Sequence, residues 1–171
     1  MKVTRYTEGM ERKSFGPMQC PIARSLERVG EWWSILILRD AHYGLTRFDQ
    51  FAASLGIAPN MLARRLKALV EAGLLERRRY SERPPRDEYV LTERGRDFRP
   101  VLLSLLAWGN RHFAPEGASV ALADPATGRA IDPVLVDRET GIPLSRSGVR
   151  VVAGPAANEA MRRRLTERPT L

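Results

Sequence analysis

Asn60, Arg64 and Lys67, spaced four and then three residues apart, are the side chains in this sequence best suited to polar recognition. At i, i+4 and i+7 they share one face of a helix running from Pro59 to about Ala72, while Leu62, Leu66, Leu69 and Val70 fall on another stripe. A helix with a buried leucine stripe and an exposed amide and guanidinium can lie in the major groove of duplex DNA. There asparagine pairs with adenine and arginine with guanine, each through two hydrogen bonds. Arg65 and Lys67 are expected to meet phosphates, contacts that set register without reading sequence. Just downstream, Arg77, Arg78, Arg79, Arg83 and Arg86 crowd a segment whose spacing changes from helical to alternating. Arginines on such a hairpin can follow the phosphate backbone or enter a minor groove. A solvated basic face is the plain alternative for either feature. The two in direct succession are far more specific than each alone.

A two-faced helix must be held from behind, and the preceding residues supply that support. Ile22, Leu26 and Val29 recur at helical spacing between Cys20 and Gly30, with Pro21 at a favoured first helical position. Trp32 to Tyr43 is densely apolar, a helix expected to be buried on most sides, and Gly44 stops it. Thr46 is placed to cap a third helix, Arg47 to Leu55, with Phe48, Phe51 and Leu55 facing inward. After Gly73, Leu74–Tyr80 and Asp87–Thr92 read as two strands, joined by a loop whose two prolines cannot extend the ladder. Thr92 can cap a fifth helix reaching Phe113, in which Pro100 bends the helix or marks where its regular part starts. Its apolar stripe, Phe98, Leu102, Leu105, Leu106 and Gly109, is widened by Val101 and Trp108. An arc so broad exceeds what a monomer's surface helix needs and points to a partner.

The composition agrees with a basic globular protein. Of 171 residues, 43% are hydrophobic and 28% charged, which argues against a mostly disordered chain. The net charge of +8 is uneven: residues 1–113 carry +7, residues 114–171 only +1, and the stretch 58–86 alone +5. Clustered positive charge attracts polyanions by releasing condensed counterions. No apolar run approaches the roughly 20 residues of a membrane helix, and the opening residues do not read as a secretion signal. The expected location is the cytoplasm, with no membrane partner. A single cysteine, Cys20, excludes an intramolecular disulfide. His42 and His112 have no carboxylate or nucleophile at motif spacing, and no phosphate-cradling glycine loop, HExxH or Gly-x-Ser-x-Gly occurs. No enzyme, cofactor or metal is expected.

The segments CPIARSLERVG, WWSILILRDAHYG, RFDQF, APNMLARRLKALVEAGLLERR, PPRDEYVLTERG and LLSLLAWGNRH, in that order, resemble the HxlR-type winged helix-turn-helix regulators, relatives of the MarR group. The resemblance spans about residues 18–113. It implies a homodimer on a palindromic double-stranded DNA operator, with a transcriptional, most simply repressive, role. It places Pro59, Asn60, Met61, Arg64, Arg65 and Lys67 on the recognition helix and Arg77, Arg78, Arg79, Arg83 and Arg86 on the wing. The dimer would use the first and fifth helices, around Ile22, Leu26, Leu102, Leu105, Leu106 and Trp108. A cysteine just before the first helix senses oxidants or electrophiles in some members, which makes Cys20 a redox-sensor candidate. A lone cysteine is otherwise an inert small hydrophobe. The sequence names no effector; the candidates are an oxidant at Cys20 and a small molecule in an apolar pocket at the dimer interface, lined by residues such as Trp32, Trp33, Trp108 or Phe113, which are otherwise ordinary core. Winged helices also serve as protein-docking or RNA-binding modules, the alternative function.

From Ala114 the character changes to short apolar runs separated by turn residues. Asp124–Ile131 and Asp137–Leu144 both follow Asp-x-x-Thr-Gly-x-x-apolar, like the knuckles of a zinc ribbon without its cysteines. A metal-free hairpin unit is expected, followed by a terminal helix from Glu159 to Glu167 carrying Arg162, Arg163 and Arg164. Those arginines add DNA contacts or simply form a solvated face. The expected fold is α+β, mainly α. Residues 1–17 form an N-terminal arm, 18–113 a winged helix-turn-helix DNA-binding and dimerisation domain, and 114–171 a small β-rich extension.

Overall fold

A computed structural model describes residues 14–145 and 148–166. Most of the expected N-terminal arm, and Glu167 at the end of the expected terminal helix, lie outside the described residues. The elements run α1 (Pro21–Val29), α2 (Trp32–His42), α3 (Phe48–Leu55), α4 (Pro59–Glu71), β1 (Leu75–Glu82), β2 (Pro85–Leu91), α5 (Glu93–Arg96), α6 (Arg99–His112), β3 (Leu122–Ala123), β4 (Ala130–Ile131) and α7 (Glu159–Thr166). The fold is α+β and mainly helical, a winged helix-turn-helix followed by a small extension. Among the described residues, no helix is long and apolar enough to cross a membrane.

Every buried position among the described residues falls between Val29 and Gly95. At the centre, Ile37 and Leu38 of α2, Phe51 of α3, and Leu62, Leu66 and Leu69 of α4 are 0% exposed. Each such side chain contributes about 1.5–3 kcal/mol by leaving water, so α4 cannot rotate without large loss. The expected burial of α2 on most sides holds: from Trp32 to His42 every residue but Trp32 is buried or half-buried.

The turn before α3 differs from the expected threonine cap. The Gln50 Oε1 accepts from the Thr46 and Arg47 amides at 3.1 and 2.9 Å, which puts Arg47 at the cap position. The Thr46 carbonyl instead accepts from the Tyr89 amide at 2.7 Å, and Arg47 bridges to Glu88. The start of α3 is thereby hooked to β2.

The hairpin ladder is also longer than its prolines suggest. β1 and β2 pair antiparallel from Leu75 opposite Leu91 to Glu82 opposite Pro85, leaving Arg83 and Pro84 at the tip. Pro85 begins its strand, where a missing N–H is tolerated. The expected fifth helix is two helices. The Thr92 Oγ1 accepts from the Gly95 amide at 3.1 Å and donates to the Gly73 carbonyl at 2.7 Å, so the cap is as expected. α5 nevertheless ends at Arg96, and Pro100 sits in the first turn of α6, where no intrahelical bond requires its N–H.

Beyond α6, no described residue is buried. The Asp124 Oδ1 accepts from the Ala126 amide, the Thr127 amide and the Thr127 hydroxyl at 2.9–3.0 Å. Asp137 repeats the pattern with Glu139 and Thr140. These bonds, from Thr127 and from Thr140 foremost, favour the ionised carboxylates and hold both below the ordinary aspartate range. The first turn links β3 and β4; the second is spanned only by a bridge between Val136 and Pro143.

A close approach at Gly95 gives a direct test of this packing. A Cβ there would lie 2.1 Å from the Leu74 carbonyl oxygen and 3.0 Å from the Leu91 side chain. Gly95→Ala should therefore destabilise the chain by about 1–3 kcal/mol through overpacking. Chemical denaturation would read this as a lower midpoint, and an unchanged midpoint would contradict the packing at α5.

Candidate nucleic-acid interface

α4 turns its burial inside out over two turns. Leu62, Leu66 and Leu69 are enclosed, while Pro59, Asn60, Arg64 and Lys67 are exposed and Met61 is half-buried. The exposed side chains are only lightly engaged. The Asn60 Oδ1 accepts from the Met61 amide at 2.7 Å, and the Arg64 guanidinium leans on the Met61 sulfur at 2.9 Å. Lys67 stands 3.8 Å from Glu71 with both side chains in water, an ion pair of small worth. Arg65 departs from its expected place beside Lys67. Its side chain is 16% exposed and its Nη2 lies 2.8 Å from Glu31 Oε2, so it belongs to the packed side of α4 and not to the outward stripe. The fourfold and threefold spacing that groups Asn60, Arg64 and Lys67 leaves the adjacent Arg65 about 100° away around the helix.

The five wing arginines divide into two sets. Arg77 and Arg79 both donate to Asp87 on β2, Arg79 at 2.8 Å. Arg78 makes two 3.0 Å bonds to Glu76. Hydrogen bonds from Arg77 and then Arg79 hold the Asp87 carboxyl below its usual range, and Arg78 does the same to Glu76. A depressed carboxylate adds stability above its unfolded value, near pH 4, which is lost as pH falls through the lower folded value. The wing pairs are therefore complete at neutral pH. Arg83 at the tip and Arg86, the second residue of β2, are exposed and form no ion pair among the described residues. The sequence reading missed this split, although Asp87 and Glu88 directly follow the basic stretch. It also missed Arg47, whose guanidinium carbon lies 4.9 Å from the Tyr80 ring centre.

The expected dimer residues lie on two elements, α1 and α6. Ile22, Leu26, Leu105 and Trp108 are exposed, Leu102 and Leu106 half-buried. Trp108 and Phe113 pack edge to face with ring centres 4.8 Å apart. Cys20 is half-buried at the cap position of α1, where its side chain makes no cap hydrogen bond. Gln19 next to it accepts from the Asn158 amide at 2.8 Å, which brings the segment before α7 against the start of α1. On α7, Arg162 folds back onto the Ala157 and Pro155 carbonyls and Arg163 lies 4.0 Å from Glu159. A shallow cleft of about 210 Å³ opens between α6 and the extension, with Asn110 and Asp132 on its wall.

The Asp87 pairs predict a gain of charge on mutation. Asp87→Asn should release Arg77 and Arg79, raise affinity for random duplex, and steepen the salt dependence by up to about two in logarithmic slope. Titrations at several salt concentrations read this directly. An unchanged slope would show that neither arginine reaches the backbone.

Comparison with known proteins agrees with this geometry. A family model described as HxlR-like helix-turn-helix matches residues 28–117. The HTH-type transcriptional regulator Rv3095 of Mycobacterium tuberculosis is 42% identical over 135 residues, 78% of this chain and 85% of the relative. Among solved structures, the Pseudomonas aeruginosa protein PA1374, described as a transcription factor, is 60% identical over 85% of this chain and 100% of its own, with a TM-score of 0.62. PA1607, likewise described as a transcription factor, is 38% identical over 83% of this chain and 100% of its own, with a TM-score of 0.74. The chain belongs to the HxlR-like helix-turn-helix family, and is a transcriptional regulator whose winged helix-turn-helix is its DNA-binding domain.

Proposed function

We propose that the protein acts as a homodimeric repressor in the cytoplasm, binding a palindromic operator. Each α4 enters a major groove and each wing tip meets the flanking backbone. The observation that carries this reading is the exposed Asn60, Arg64 and Lys67 stripe opposite three fully enclosed leucines, with Arg83 and Arg86, which form no ion pair among the described residues, on the hairpin that follows. Asn60 and Arg64 read bases; Lys67, Arg83 and Arg86 neutralise phosphates. Dimerisation is supported by α6, a helix of 14 residues none of which is buried, and by the exposed Ile22 and Leu26 of α1. A helix carrying Leu102, Leu105, Leu106 and Trp108 has too much apolar surface to remain in water, and a two-fold partner covers it. In this reading residues 18–113 are the functional unit, residues 114–171 are an accessory extension, and an occupied operator blocks transcription.

Titration of the purified chain against the promoter DNA beside its own gene, at several salt concentrations, tests this. The expected result is two protomers per site, binding at least about a thousandfold tighter than random duplex, with a steep salt slope. Equal affinity for both DNAs at every salt concentration overturns it. In the same assay, Arg64→Ala should cost about 1–3 kcal/mol on the operator alone. Arg83→Ala should weaken all duplexes alike and lower the slope by about one. Oxidation of Cys20 is the proposed signal, since that thiol stands at the cap of α1, the helix that carries part of the proposed dimer surface. Operator binding that responds to oxidant in the natural chain should stop responding in Cys20→Ser; equal responses of the two chains exclude the thiol.

A further inference from the structure

We propose that Arg65 is a positioning residue that, through Glu31, locks the recognition helix to the helix at the dimer surface. Its Nη2–Glu31 contact is 2.8 Å, with the two side chains 16% and 32% exposed, and its Nε is enclosed without a hydrogen-bond partner among the described residues. A guanidinium so enclosed has one good position, because leaving the carboxylate strands a charge away from water.

Glu31 occupies the junction of α1 and α2. It is the cap residue of α2, and its carbonyl accepts from the Ser34 amide at 2.9 Å. At Gly30, just before it, the backbone turns back closely on the end of α1. The Gly30 amide donates to the Leu26 carbonyl at 2.7 Å, and a Cβ on Gly30 would come within 2.3 Å of that oxygen. α1 also packs against both α2 and α4, with Val29 buried beneath it. The α1–α2 elbow and the middle of α4 are thus fastened at one point. A rotation of α1 about this elbow is passed to α4 through the half-buried Glu31–Arg65 pair and through the packing of α1 on α4.

This inference rests on the operator-binding dimer described above. There, Ile22 and Leu26 of α1 meet the second copy, so the angle of α1 across the dimer sets the angle and spacing of the two recognition helices. Arg65 then governs which half-site spacing is accepted, and touches no phosphate.

The test compares Glu31→Ala and Arg65→Met in the full chain. If Arg65 contacted phosphate, Glu31 would compete with DNA for it. Glu31→Ala would then leave binding unchanged or strengthen it on every duplex, and Arg65→Met would lower the salt slope by about one. The positioning role predicts that each substitution weakens operator binding about 2- to 30-fold. The double variant is no weaker than the worse single one. Affinity for random duplex and the salt slope stay unchanged, and operators with half-sites shifted by one base pair are discriminated less. Hydrogen exchange without DNA reads the lock independently. Both variants should exchange faster in α1 and α4 while β1 and β2 keep their protection, and the charge-swapped Glu31→Arg, Arg65→Glu chain should regain it. Unchanged protection in α1 and α4 overturns the lock whether or not an operator is preferred, as does a lowered salt slope in Arg65→Met. Loss of operator preference in the natural chain overturns the dimer reading alone and leaves the exchange result standing.

Discussion

Three leucines on one stripe of α4 have no contact with water, and most of the molecule's geometry follows from keeping them dry. Leu62, Leu66 and Leu69 pack with Ile37 and Leu38 of α2 and Phe51 of α3 in one core. A helix anchored along that line has a single allowed rotation, and the rotation decides which polar side chains face out. It also decides where the chain leaves. Leu74 and Leu75, both buried, begin the wing directly behind the helix, so that helix and hairpin share one foundation. The polar face is therefore a by-product of apolar packing. None of its members needs a contact of its own to stay in place, which leaves them available to a ligand.

Within the wing, charge is managed more closely than its arginine count suggests. Asp87 holds two arginines and Glu76 a third, and the tip keeps its positive charge in water. The arginines of these pairs stand in water, and surface pairs of this kind add little to folding. Their effect is on the field that the wing presents: strongest at the end that reaches farthest, and muted along the strands. A uniformly cationic hairpin would favour any polyanion. One charged mainly at its tip favours the geometry in which helix and tip engage together.

The pattern of apolar residues made the helical core and the two-faced helix legible, because burial of a stripe at helical spacing leaves few other arrangements. The paired Asp-x-x-Thr-Gly turns were legible for a different reason: their hydrogen bonds are local, made within four residues. What stayed hidden depended on distant neighbours. Arg65 looks like a surface cation until Glu31, far away in sequence, is seen beside it. Thr46 looks like a cap until Tyr89 claims its carbonyl and Gln50 takes over the amides. Pro100 allowed two readings, and the break between α5 and α6 settles them in favour of a helix start. Arg77 and Arg79 lost their apparent freedom to Asp87, which follows the basic run and returns across the ladder.

The contact between Gln19 and Asn158 joins residues 139 positions apart. Every buried residue of the described chain is made by the time Gly95 has been added, whereas Asn158 arrives later. At about 5–20 residues per second on the ribosome, the gap is roughly 3–13 s, ample for a helical core to form. The extension therefore docks onto a surface already folded. Its two turns close on themselves as they emerge, and the join to the start of α1 comes last. The order of synthesis thus leaves Gln19, at the entrance to α1, without this partner for an interval after the core is able to form.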